Sequence, residues 1–569
     1  MKTRTYVLIF ILIFVALIAA AGAALFFVGF AERPSVPARA YLEIGLSGAL
    51  AEYPETNFWA ALVLGGRPLA VHDIWMNLRK ARVDGRITGL LLRIGFLECD
   101  WAKCAEIRDA ILEFRASGKK AVAFIEEAPE FDKEYYLATA CDRIILHPLG
   151  WFGLTGMGGP TPFFKKALDK LGVRAEFEHV EEFKTAANEL TESGFTPSHR
   201  EMTTSLLESR FDEYVRAVAA ARGKTEDEVK ALIDTAFFQG EEAVKAGLID
   251  GLLYDDQLVD LFKAGSQPAG RTTLAEYDRI DPASLGLNTG RRVALIYGQG
   301  PIHGGTSLAQ TMGSTTVARW FKEAREDDGI AAVVFRIDSP GGSAVASDAI
   351  WREIVLCKAR KPVVVSMSDL AGSGGYWIAL PANKIVAQPQ TLTGSIGVLS
   401  GKFDLSGLFA KLGVTSETIA RGEHADVYSP FRAMTGEERA LFKKQILWIY
   451  ERFLDKAAEG RGMAREAIDK IGRGRVWTGR QAREIGLVDE IGGLSKAIEL
   501  AKSLAGIPVR DEVKLVVRPK RTSFFGSIFA PRLSASLRAL PSEIRRALAW
   551  ASLLEKDRTW AIMPLALGF

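Results

Sequence analysis

From residue 40 onward the chain alternates short, wholly apolar runs with longer stretches of helical period. In its second half, "RRVALIYGQ", "IAAVVFRID" and "KPVVVSMS" are rich in β-branched residues on both faces and read as buried strands. Between them, "SAVASDAIWREIVLCKA" reads as a helix with Ser343 as its N-cap, and a further helix begins near Gly374. Strands that are apolar throughout and separated by helices predict an α/β fold, with parallel sheets covered by helices. The N-terminus has a different pattern. Tyr6 to Phe30 carries no charge, and as a helix of about 37 Å it would cross a hydrocarbon core of about 30 Å. Lys2 and Arg4 precede it, so the positive-inside rule leaves the N-terminus in the cytoplasm and everything later outside it. A cleaved signal peptide is the alternative, but the apolar run continues through "LFFVGF" past the small residues, which predicts a retained transmembrane helix over about 6–30.

The pattern also repeats. "TGLLLRIGF" (Thr88–Phe96) matches "AAVVFRIDS" (Ala331–Ser339), with Arg93 against Arg336. "EYYLATACDRIILHP" matches "GYWIALPANKIVAQP", "LDKLGV" matches "FAKLGV", and "FQGEEAVKAGLID" matches "WTGRQAREIGLVD". The four pairs keep one order at an offset of about 240 residues, the signature of a duplicated unit. The expected organisation is a cytoplasmic start and anchor over 1–39, one repeat over 40–265, a turn-rich linker over 266–289, a second repeat over 290–517, and a tail over 518–569.

Composition narrows the classes. At 569 residues the chain is too long for a single core, and 48% hydrophobic with 25% charged residues is ordinary for folded protein. A formal net charge of +3 gives no footprint for nucleic acid. Cys99, Cys104, Cys141 and Cys357 lack zinc-site spacing, and they read as buried thiols, with a Cys99–Cys104 bridge open in an oxidising compartment. "GQGPIHGG" has His303 where a dinucleotide motif needs its third glycine.

The candidate chemistry lies at two glycine corners. In "AGSGGYW", Ser373 stands between an apolar strand and a helix that opens at Gly374, whose first N–H groups lack helical partners. "DSPGGS" places Gly341 and Gly342 in a similar turn after the neighbouring strand. Such paired corners suit a serine nucleophile whose oxyanion receives N–H groups from Gly374 and from Gly341 or Gly342. The proton acceptor is open at this level. His424 is the histidine of the same repeat and the first rival. A lysine is the other choice, but it titrates at about 10.4 when unperturbed, so work near pH 8 needs a drop of about two units, or about 3 kcal/mol. Burial can supply that.

"RIDSPGGS", "AGSGGYWIALPANKIVAQPQTLTGSIGV" and "EEFKTAANELT" resemble the long, duplicated form of the signal peptide peptidase A family, S49, whose members are membrane-anchored serine proteases of the Clp protease/crotonase fold. The resemblance runs from the anchor to about residue 517. It implies Ser373 as nucleophile, Lys184 of the first repeat as general base, and Ser395 of "LTGSIGV" beside them. It also implies a homotetramer at the bacterial inner membrane, with its catalytic part extracytoplasmic, acting on cleaved signal peptides and similar apolar peptides without metal or cofactor. The repeat alignment agrees: Lys184 falls opposite Ala425 and Ser373 opposite Asp132, so each copy holds one half of the pair. Asp338, opposite Gly95, reads as a turn-shaping residue. Two other readings share the fold: a crotonase-type acyl-CoA enzyme, and a membrane scaffold without activity. In the tail, Phe524, Phe525, Phe529 and Trp550 interleave with arginines, and Ile544 and Leu548 suit one helix face, which reads as a basic amphipathic segment for a membrane surface or a subunit contact.

Overall fold

Strands rich in Val, Ile and Leu have two faces to bury, and the chain buries them by stacking two sheets with helices around them. The computed structural model describes residues 36–53, 69–126, 131–263, 267–308, 310–520 and 560–563. The apolar run Tyr6–Phe30, expected as the anchor, lies outside them. Among the described residues no helix is long and apolar enough to cross a membrane.

The first sheet has six strands in the order Gly251–Leu252, Arg143–Leu146, Lys120–Ile125, Ile87–Glu98, Ala40–Ala49 and Gly270–Thr273, all parallel. The second follows the same plan. Glu490–Ile491 pairs with Lys384–Ala387, then come Val363–Gly372, Ile330–Ser339, Arg291–Gln299 and Val513–Arg518, again parallel. Leu392–Gly394 extends the far end of the Val363–Gly372 strand and carries Val476–Thr478 antiparallel on its other side. Leu295, Val334 and Val364 stand side by side at the centre of this sheet, each without exposed surface, and each contributes about 1.5–3 kcal/mol by burial. Within residues 266–289, Gly270–Thr273 pairs with Ala40–Glu43. The stretch expected as a linker therefore also supplies an edge strand, for which its two threonines are well suited.

A third sheet ties the halves together. Arg174–His179 from the first half runs antiparallel to Leu399–Asp404 from the second, from Arg174 against Asp404 to His179 against Leu399. The 26-residue helix Pro197–Arg222 reinforces the junction. Thr196 caps its start, accepting from His199 N; Ser209 Oγ lies 2.7 Å from Thr478 Oγ1; and Arg480 Nε donates to Glu213 Oε2 at 2.8 Å. The four cysteines are free, with the Cys99 and Cys104 sulfurs 3.6 Å apart.

The duplicated arginines show how the halves diverged. Arg93 pairs with Glu43 at 3.0 Å and remains partly exposed. Arg336 is buried at the junction, where its guanidinium meets Glu52 at 2.9 Å and Glu106 at 3.1 Å, both from the first half. Removing Arg336 strands two buried carboxylates. Urea titration of Arg336→Met is expected to show a loss of about 3–5 kcal/mol, whereas Arg93→Met costs about 1 kcal/mol or less. Equal losses at the two sites would contradict this account of the junction.

Candidate active site

The Val363–Gly372 strand is buried along most of its length and ends at Ser373, where the chain turns into the helix Gly374–Ala379. Ser373 adopts φ 54° and ψ −115°, a region that is costly for a residue with a Cβ. Its neighbours hold it there. The Ser373 N–H donates to Gly394 O at 2.8 Å, and its carbonyl accepts from Trp377 N at 2.8 Å. The hydroxyl is thus presented at the strand-to-helix corner.

Lys184 arrives from the other half. After the Arg174–His179 strand, Val180 N donates to Val398 O at 3.0 Å and Phe183 N donates to Arg473 O at 3.1 Å. Arg473 also grips Glu181 at 2.7 Å and Glu182 at 3.0 Å. These contacts deliver the lysine into the second half. Lys184, Ser373 and Ser395 are all fully buried. Lys184 Nζ lies 2.7 Å from Ser373 Oγ and donates to both the carbonyl and the hydroxyl of Ser395 at 3.0 Å. Ser395 has φ 51° and is fixed by its N–H to Arg475 O at 2.7 Å. Burial alone pushes the Lys184 amine well below its ordinary value. A neutral amine has two hydrogens and one lone pair. Ser395 takes the two hydrogens, which leaves the lone pair for the Ser373 hydroxyl. An amine so placed can accept that proton as the oxygen attacks an acyl carbon.

Ser373, Lys184 and Ser395, the three residues the family resemblance implies, lie in contact. Of the expected oxyanion donors, Gly374 opens its helix, so its N–H has no partner within it. The Gly341 N–H is taken, since it donates to Ser339 Oγ at 3.2 Å. Gly342 is bound by sterics, for a Cβ there would sit 2.1 Å from Ile302 O. Asp338 accepts from Lys103 Nζ at 2.7 Å and from Leu370 N at 3.2 Å, so it ties the glycine turn to the first half. The histidine rival is elsewhere: His424 Nδ1 lies 3.7 Å from Glu438. Asp132, the counterpart of Ser373, accepts from Thr155 N at 2.9 Å and Gly156 N at 3.1 Å, so the first corner is a structural one.

One residue was missed. Gly474 has φ 83°, and a Cβ there would sit 2.4 Å from Lys184 N and 2.5 Å from its Cα. It lets the lysine backbone lie against the second half. The signal was the "GRGR" spacing before Val476, which carries no chemistry of its own.

A serine hydroxyl beside a buried amine, at a corner lined with N–H donors, is the arrangement of an acyl-transferring serine enzyme. Comparison with known proteins agrees. Residues 113–267 and 356–508 both match Peptidase family S49, and the chain belongs to that family and is a serine peptidase. It is 37% identical over 459 residues to "Serine protease SPPA, chloroplastic" of Arabidopsis thaliana, covering 79% of this chain and 68% of that one. It is 33% identical over 502 residues to "Protease 4" of Salmonella typhi, covering 84% and 80%. A "Protease 4" of Haemophilus influenzae is 30% identical over 521 residues, covering 87% and 83%.

If Gly474 sets the lysine position, Gly474→Ala moves the amine while leaving the folded core in place. The expected result is a fall in kcat of about 100-fold with an unchanged circular dichroism spectrum. Wild-type kcat in that variant would contradict the role.

Proposed function

We propose that Ser373 is the nucleophile and Lys184 the general base of an endopeptidase that cuts apolar peptides, cleaved signal peptides among them. The carrying observation is the 2.7 Å separation of Lys184 Nζ and Ser373 Oγ within a fully buried site. Lys184 accepts the hydroxyl proton as Ser373 Oγ bonds to the peptide carbonyl carbon. The carbonyl oxygen becomes an oxyanion, stabilised by the Gly374 N–H and, once Ser339 releases it, by that of Gly341. Protonated Lys184 then gives its proton to the departing amine, and the acyl group remains on Ser373. Water enters and bonds to the acyl carbon as Lys184 takes its proton; the bond from that carbon to Ser373 Oγ then breaks, Lys184 returns the proton to Ser373 Oγ, and the acid product leaves. Ser395 orients the amine throughout.

The reading extends to place and assembly. The uncharged run Tyr6–Phe30 would anchor the chain in a bacterial inner membrane, with the peptidase on the extracytoplasmic side. An anchored enzyme meets apolar peptides as they leave the bilayer. Four copies would assemble as a homotetramer, each chain completing its own Ser–Lys pair from its two repeats.

Labelling with a fluorophosphonate tests the roles directly. Ser373→Ala is expected to abolish it, and Lys184→Met to slow labelling and peptide cleavage by about 10²–10⁴-fold. The pH dependence has a definite sign. Protonated Lys184 cannot accept a proton, so kcat/KM rises with pH through the lowered lysine pKa and levels off above it. A profile that stays low and rises only near the free-lysine value of about 10.4, or cleavage unaffected by Lys184→Met, would overturn the assignment.

A further inference from the structure

Two adjacent strands of the second half lead to its two glycine corners, and their pairing is irregular at one place. Ile330–Ser339 runs into the glycine turn, and Val363–Gly372 runs into Ser373. Ile337 pairs with Met367, but the next pair is Ser339 with Ala371. Asp338 thus faces three residues, Ser368 to Leu370, and this bulge lies just before both corners. Beyond it the corners pack together: a Cβ on Gly375 would sit 2.8 Å from Ser339 O. The shape of the bulge therefore governs how far the N–H groups of the turn stand from the Ser373 hydroxyl.

The bulge is held from the first half. Asp338 Oδ1 accepts from Leu370 N at 3.2 Å. Lys103 Nζ donates to Asp338 Oδ2 at 2.7 Å and lies 3.1 Å from Asp369 Oδ2, so one ammonium joins the two strands. Asp369 also accepts from Lys103 N at 2.8 Å and from Asp100 N at 3.2 Å, at the start of the helix Trp101–Arg115. Burial works against the charge on Lys103, but Asp338, Asp369 and Glu52 outweigh it and hold its pKa well above the ordinary value. Lys184, equally buried, is pushed the other way. The bridge is divided between the copies as the Ser–Lys pair is. Lys103 is the third residue of its helix, and the third residue of the matching helix Ala344–Lys358 is Ala346. The first half supplies the ammonium and the second half both carboxylates.

We propose that Lys103 is a positioning residue for the peptidase reaction: its ammonium clamps Asp338 and Asp369 across the bulge and so sets the distance between Ser373 and the N–H donors of the glycine turn. This rests on the assignment of Ser373 and Lys184 above. Without the ammonium, two buried carboxylates repel each other and the strands part there. A displacement of about 1 Å at a reacting centre costs about 100-fold in rate. The oxyanion exists only beyond the bound substrate, so the loss appears in kcat rather than KM.

The clamp also has a pH signature. The charged groups facing Lys103 and Asp369 are Asp338, Glu52 and Asp100. Glu52 is paired with Arg336 at 2.9 Å and Asp100 with Arg210 at 2.7 Å. Lys103→Met leaves Asp338 and Asp369 without their counter-ion. Loss of a cation raises a carboxylate pKa, so the pair shares a proton at low pH and carries both charges at high pH. Activity of the variant then climbs as Lys184 becomes neutral and falls again as the carboxylates ionise, where the wild type levels off.

The test measures kcat and KM against pH with an apolar peptide substrate. Lys103→Met is expected to lower kcat about 100-fold, with KM unchanged and a bell-shaped profile. Lys103→Met combined with Asp338→Asn removes one repelling charge and should lose the descending limb. A lysine needed only for folding would scale the profile without changing its shape. Should Lys103→Met fail to fold, the near-isosteric Asp338→Asn decides, because it keeps an oxygen for Leu370 N and loses the ion pair; kcat about 10-fold lower with KM unchanged is expected. Wild-type kcat in the variant that decides, or a Lys103→Met profile of wild-type shape, while Ser373 still labels with fluorophosphonate, would overturn this proposal alone. Failure of Ser373 to label in the wild-type enzyme would overturn the underlying assignment, and this proposal with it.

Discussion

The site depends on keeping water away from one amine. A lysine in water is an ammonium ion and has no lone pair to offer. Here the amine is enclosed by the junction of two sheets, no carboxylate among the described residues acts on it, and burial alone lowers its proton affinity. That enclosure has a cost. The unfolded chain binds a proton at Lys184 that the folded chain rejects, so between the lowered pKa and the ordinary one the unfolded state holds more protons. Stability from this group therefore increases as pH rises across that window. The fold sustains the penalty through its other contacts, and it sustains the unfavourable backbone angles at Ser373 in the same way.

Those contacts belong to the junction between the halves rather than to either half. The antiparallel pairing of Arg174–His179 with Leu399–Asp404 sets the register that carries Lys184 toward Ser395. The buried cluster of Arg336, Glu52 and Glu106, and the bridge from Lys103 to Asp338 and Asp369, lock the same junction from the other side. A unit that closed its own site would need both residues in one copy. Here Asp132 anchors a loop where the second copy has Ser373, and Lys184 of one copy lies against Ser373 of the other.

Much of this was legible in the sequence, for physical reasons. Parallel strands buried on both faces write continuous apolar runs, and "VALIYGQ" and "VVVSMS" could be read directly. Duplication kept the strand order, so the offset of the repeats was visible. Ser373 was marked by the glycines its corner requires. Lys184 was not marked by composition, since it is one of 72 basic residues; it was found through its motif and through the complementary loss at Ala425. What could not be read was pairing between distant strands. The third sheet joins segments from both halves and the tail, each only a few residues long, and nothing in their local pattern names their partners. Gly474 was missed for the same reason: its close approach to Lys184 exists only after the halves dock. Gly341 was expected as a free donor, but its N–H is held by Ser339, a contact made inside the turn.

The central claim concerns the charge on one nitrogen, and it can be observed without turnover. Isotope-labelled lysine incorporated into the full chain gives an Nζ resonance for Lys184, assigned by its loss in Lys184→Met and titrated by NMR. The account predicts a neutral amine at pH values where the other lysines are still charged, with its transition shifted to lower pH. A Lys184 signal that titrates with the surface lysines near about 10.4 would contradict it.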